Sequence, residues 1–215
     1  MELTARINDA KYSAFRWRHE LSIPKKLALA MAMAAVTGLL AQVRFPLPWT
    51  PVPITGQTFA VLLAAVLMGK WWGGISMAIY GGLGWAGLPW FQGGTAGITA
   101  TGGYVIGFVL ATLFVGYFVD KYVRSRSFLT MLGLMLVANF VFIYIPGLVW
   151  LSIWLPGHGK TVASLAALLN MGMIPFIAGD ITKAVLAAAI ARGVTTKRAF
   201  NGEVDKDKWA NWRIP

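Results

Sequence analysis

Long apolar runs broken by short polar, glycine-rich or proline-rich joints dominate this chain from about residue 27 onward. The runs cover residues 27–43, 54–68, 74–88, 103–119, 128–154 and 173–191. A helix needs about 20 apolar residues to cross a hydrocarbon core, so this pattern predicts an all-α integral membrane protein with six transmembrane helices. Residues 161–171, with apolar positions at Val162, Leu165, Ala166, Leu168 and Leu169, predict a short helix near the membrane face ahead of the last span. The first 24 residues are polar and basic, interrupted by Tyr12, Phe15 and Trp17 in the manner of an interfacial helix.

Composition agrees. Hydrophobic residues make up 57% of the chain and charged residues 13%, against about 25% charged in an average soluble domain. The expected organisation is an N-terminal cytoplasmic or interfacial segment (1–24), one six-helix membrane domain (25–192) and a polar, mobile tail (193–215) whose Trp209 and Trp212 can touch the membrane. Cysteine is absent, which excludes disulfides and thiolate metal sites. The charged N-terminus has no apolar run of the kind a cleaved signal peptide needs.

The net charge of +11 is a topology signal. Of the 19 Lys and Arg residues, sixteen fall on the side that carries both termini: those of the first 26 residues, Lys70, Lys121, Arg124, Arg126 and the tail. The opposite side has only Arg44 and Lys160, and Lys183 lies within a span. The positive-inside rule therefore predicts cytoplasmic termini, and no nucleic-acid partner is needed to explain the charge.

Three joints then face outward. The segment from Arg44 to Pro53 has prolines at 46, 48, 51 and 53, which exclude regular helix and predict a stiff apolar lid or wall. The segment from Pro89 to Tyr104 is uncharged and glycine-rich, so its backbone can approach a ligand closely. The third contains Gly159-Lys160-Thr161, which ends like a phosphate-binding loop, but position 154 is Trp where that motif starts with Gly, and no strand precedes it. His158 is a single imidazole and makes no metal site. On the first span, small residues form two alternative stripes suited to close helix approach: Ala28, Ala32 and Ala35, or Ala30, Ala34 and Gly38.

The last span holds Asp180 and Lys183, three residues apart and so on one helix face. Ionised groups at membrane depth face an interior or a cavity and are functional by default. Side by side they offer acceptors and donors to a polar ligand. Further candidate contacts are Gln92, Gly93, Gly94, Gly102, Gly103 and Tyr104 in and after the glycine-rich joint, with Thr55 and Gln57 at the start of the second span. A membrane enzyme is disfavoured by the lack of a metal cluster, catalytic triad or nucleotide motif. A channel is disfavoured by the lack of a ring of like charges. A structural ion pair without a ligand is the remaining alternative for Asp180 and Lys183.

Five segments in order resemble the BioY family of biotin transporters: Pro51-Val-Pro-Ile-Thr-Gly-Gln-Thr-Phe59, Gly87-Leu-Pro89, Thr101-Gly-Gly-Tyr-Val-Ile-Gly-Phe108, Tyr144-Ile-Pro-Gly147 and Pro175-Phe-Ile-Ala-Gly-Asp-Ile-Thr-Lys183-Ala. These are the substrate-specific S components of energy-coupling factor transporters. The resemblance implies a six-helix S-component bundle with biotin as the transported ligand, and no cofactor or enzymatic activity. It maps the family's Asp-x-x-Lys, which contacts the ureido ring, onto Asp180 and Lys183. The glycine-rich joint with Gln92 then becomes the candidate for the valerate carboxylate. The Ala28, Ala32 and Ala35 stripe becomes a docking face for a transmembrane coupling subunit, which works with two ATPase subunits. S components for thiamine or riboflavin, and a solitary, homo-oligomeric transporter, are the nearest alternatives.

Overall fold

A computed structural model of the chain describes residues 2–160, 163–200 and 202–205. Its helices are α1 (Glu2–Glu20), α2 (Ile23–Gln42), α3 (Gln57–Trp85), α4 (Gly102–Lys121), α5 (Phe128–Val137), α6 (Tyr144–Trp154), α7 (Leu165–Gly172) and α8 (Ile177–Val194). A two-residue antiparallel ribbon, β1 (Arg44–Phe45) with β2 (Ile54–Thr55), spans the proline-rich joint. Among the described residues, five stretches are long and apolar enough to cross a membrane: Ile23–Gln42, Gln57–Trp85, Gly102–Lys121, Phe128–Trp154 and Leu165–Val194.

The second of these is a hairpin. Gly69 has φ 74° and ψ −171°, a conformation that needs glycine, and the chain reverses there. Gln57 and Tyr80 would stand roughly 35 Å apart on a straight helix, yet the Gln57 amide donates to the Tyr80 hydroxyl at 2.6 Å. Asp120, at the end of α4, fixes the turn by accepting from the Lys70 amide at 2.8 Å. Arg18 of α1 completes the knot, donating to the Val66 carbonyl at 3.0 Å and to Asp120 at 2.7 Å. Burial pulls the Arg18 guanidinium below its ordinary pKa, and the Asp120 carboxylate opposes that shift.

Helix α4 is the central post, packed against α3 and against the α5–α6 unit. Glycine makes the approach possible. A Cβ at Gly107 would lie 2.6 Å from the Ile143 Cα, so only a bare backbone fits there. On α2, Ala30, Ala34, Thr37, Gly38 and Ala41 are buried, whereas Ala28, Ala32 and Ala35 face outward. The two alanine stripes are thus divided between an internal contact and a free edge.

Two expectations need correction. Pro146 and Gly147 within the run 128–154 predict a break there, but α6 runs through both, and the irregularity is a π-helical segment at Ala138–Ile143. Proline cannot donate to the carbonyl four residues before it, and the wider turn lies directly upstream, where that loss is absorbed. The tail was expected to be mobile beyond Arg192. Instead, residues up to Asp205 fold against α1 and the α4–α5 joint. Arg126 and Glu203 form a 2.7 Å ion pair with both side chains fully buried, and Arg126 lies over the Phe15 ring. Asp205 accepts from the Val123 and Arg124 amides at 2.7 and 3.0 Å. Glu203 and Asp205 serve partners inside the protein, which a reading of them as solvated groups misses. Trp209 and Trp212 lie outside the described residues, as do Thr161 and Val162 at the start of the expected short helix. That helix begins at Leu165, capped by Ser164, whose hydroxyl accepts from the Ala167 amide.

Removing one partner of a buried ion pair costs about 3–5 kcal/mol. Glu203→Ala is therefore expected to lower the thermal unfolding temperature in detergent and to speed tryptic cleavage at Lys197 and Arg198. A tail that stays protease-resistant in this variant would show that the pair does not hold it.

Candidate functional site

The end of the bundle opposite the termini is closed by the ribbon, the glycine-rich joint and α7. The Thr50 hydroxyl donates to the Met171 carbonyl at 2.6 Å, tying the proline-rich segment to the end of α7. Trp150 donates to the Thr99 carbonyl at 2.9 Å, tying the glycine-rich joint to α6. Beneath this cover lies a cavity of about 50 Å³. Val52, Pro53, Ile54, Phe108, Ile143 and Phe176 supply its apolar walls, and Thr55, Gln57, Thr58, Thr101, Tyr104, Tyr144, Asp180 and Lys183 its polar groups.

Asp180 is 4% exposed and takes four hydrogen bonds. Oδ1 accepts from Lys183 at 2.8 Å and Thr58 at 3.1 Å. Oδ2 accepts from the Tyr144 hydroxyl at 2.5 Å and the Asn139 amide at 3.1 Å. A carboxylate has about four acceptor positions, so all of them are in use. The π-helical segment explains two of these partners. Asn139 and Tyr144 are five residues apart and would point about 140° away from each other on an α-helix. The i→i+5 spacing of a π turn brings them to one side.

Lys183 makes one hydrogen bond, to Asp180, and an ammonium has three donors. Its neutraliser is thus fixed while it retains capacity toward the cavity. Asn139 Oδ1 is buried beside the same carboxylate without a hydrogen-bond partner among the described residues. The lining offers a cation donor and several hydroxyls beside apolar walls, which suits a small, largely neutral solute with a polar head. Among the described residues no three His, Cys, Asp or Glu side chains gather to hold a metal.

Of the candidate contacts read from the sequence, Asp180, Lys183, Tyr104, Thr55 and Gln57 line this cavity. The other five lie outside its lining. Gln92 donates to the Thr101 hydroxyl at 2.9 Å and so stands behind a lining residue. Gly93 sits against the Arg44 guanidinium, and the Gly94 amide donates to Gln42 at 3.0 Å. Gly102 and Gly103 are packing positions under Trp150 and Pro146. Thr58, Asn139 and Tyr144 were not singled out as ligand contacts. For Asn139 the signal was available, since an amide inside an apolar span needs a partner.

A model of the BioY family matches residues 11–200. The probable biotin transporter BioY of Methanothermobacter thermautotrophicus is 46% identical over 157 residues, covering 71% of this chain and all of that protein. The biotin transporter BioY of Thermotoga maritima is 34% identical over 149 residues, covering 67% of this chain and 82% of that one. Among solved structures, the S-component for biotin from an ECF-type ABC transporter superposes with a TM-score of 0.69 at 27% identity, covering 80% of this chain and 93% of that one. On its sequence and its fold, this chain belongs to the BioY family.

Proposed function

We propose that this chain captures biotin from outside the cell as the substrate-binding subunit of an energy-coupling factor transporter. It does so as a six-span membrane protein with both termini in the cytoplasm. The observation that carries the reading is the Asp180–Lys183 pair lining an apolar-walled cavity in a chain whose relatives bear the biotin transporter name. The α3 hairpin supports six crossings, because it divides one long apolar stretch into two antiparallel halves. The cluster of Lys and Arg at the end that holds α1 and the tail supports the orientation.

The chemistry follows from the donor count. The ureido carbonyl of biotin takes a charge-assisted hydrogen bond from Lys183, a stronger kind than a neutral pair makes. A ureido N–H reaches Asp180 by replacing Thr58, whose hydroxyl can turn away and accept instead. The bicyclic ring lies against Phe108, Ile143 and Phe176. The valerate carboxylate points toward Thr55 and Thr101, with Gln92 holding Thr101 in place from behind. Small-molecule pockets usually measure about 300–1,000 Å³, so a cavity of about 50 Å³ opens on binding. The Val52–Thr55 segment is the part of the cover that moves, since only Ile54 and Thr55 of it are held in a ribbon two residues long. Docking on a transmembrane coupling subunit uses the outward edge of Ala28, Ala32 and Ala35, where small side chains allow close helix approach.

Two tests follow. Biotin binding to the purified protein is expected, with a panel of labelled vitamins as comparison. A charged hydrogen bond is worth about 1.5–3 kcal/mol, so Lys183→Ala and Asp180→Asn should each weaken binding by roughly tenfold to a hundredfold. Binding that both variants leave intact would take the pair out of the site. Ala28→Trp or Ala32→Trp should spare biotin binding but reduce co-purification with a coupling subunit. Full co-purification of both variants would move the docking face elsewhere.

A further inference from the structure

A second cavity, of about 390 Å³, lies at the end of the bundle that carries the termini. It is a groove between α1, α2 and the first half of α3, edged by Val194 and Thr195. Its depth is apolar: Leu29, Ala32, Met33 and Val36 form one wall, so that the groove shares Ala32 with the outward edge of α2, and Val66, Leu67 and Met68 form the other. The charged residues lining it are Arg18 and Lys26, both cationic. Arg18 is held by Asp120. Lys26 donates to the His19 carbonyl at 2.9 Å, which leaves two of its three donors.

The start of α2 adds a second observation. A helix N-terminus carries partial positive charge and favours an anion. The first turn of α2 has no acidic residue and instead holds Lys25 and Lys26 beside an N-cap, Ser22, that makes no side-chain cap. Both ammonium groups add to the positive charge of this helix start, and Lys26 lies at the mouth of the apolar groove. Trp17 and Trp72 line the same groove, and indole rings favour the headgroup level of a bilayer.

We propose that this groove holds one anionic phospholipid, with its phosphate at Lys26 and the first turn of α2 and an acyl chain between the walls of α2 and α3. Basic pockets between membrane helices bind anionic headgroups by the same physics. A phosphate meets the positive charge at the helix start, and the chain covers the exposed faces of Leu29, Val36 and Leu67. The test is native mass spectrometry of the full chain in mild detergent, with equimolar phosphatidylglycerol and phosphatidylcholine added. One phosphatidylglycerol per chain should survive detergent stripping while phosphatidylcholine is lost. A cation beside an anionic lipid contributes enough that Lys26→Gln should lower retention about fivefold. Leu29→Trp, which fills the groove, should lower it with no change at the cationic mouth. The unfolding temperature of each variant checks that it is folded. Equal retention of both lipids, or unchanged phosphatidylglycerol retention in either folded variant, would overturn the proposal. So would a photo-crosslinker at position 29 that labels a protein in membranes and no lipid.

Discussion

The Asp180 carboxylate is the point on which the substrate end of this molecule depends. Four donors reach it from four different parts of the chain: Thr58 on α3, Asn139 in the π-helical segment, Tyr144 on α6 and Lys183 on α8. No single helix supplies enough partners to stabilise an ion at this depth, and an unpaired one would cost several kcal/mol. Meeting the carboxylate's needs therefore brings α3, α8 and the π-helical segment with α6 together on one side of the cavity, which α4 and the ribbon complete. The same act leaves an ammonium with spare donors at the cavity wall.

The other end is organised by charges that serve the backbone. Asp120 meets the amide exposed where the chain restarts a helix after Gly69, and Arg18 meets the carbonyl exposed where the previous helix stopped. Helix ends leave such groups without partners, and in a hairpin this tight there is little space for water. Arg126 does the same for the carbonyls of Val119, Thr196 and Arg198 while paired with Glu203. These contacts hold α1, the hairpin turn, the α4–α5 joint and the tail as one unit. The basic residues at this end thus divide into those that build the protein and those that remain for a surface.

Much of the fold could be read in the sequence, because an apolar run of the right length says membrane helix whatever surrounds it. The Lys183 partner of Asp180 was equally legible, being three residues away on one helix. Thr58, Asn139 and Tyr144 lie between 36 and 122 residues from Asp180, and no local pattern reports a pairing at that range. The π-helical segment was hidden because Pro146 is a louder signal than the turn that accommodates it. The glycine-rich joint was misleading in another way. Gly102 and Gly103 look like ligand-approach positions, but their bare backbones are spent on admitting α6. The folded tail was hidden for a simple reason: a charged residue reads as solvated until its partner is known.

The buried pairing of Arg126 with Glu203 carries an implication for how the molecule is made. Chains are synthesised from the N-terminus, so Arg126 is laid down long before the residue that neutralises it exists. Until Glu203 emerges, that guanidinium must stay in water and the end of the bundle around it must remain ajar. The closing of this end is therefore a late step, taken only after the chain has been made past Glu203.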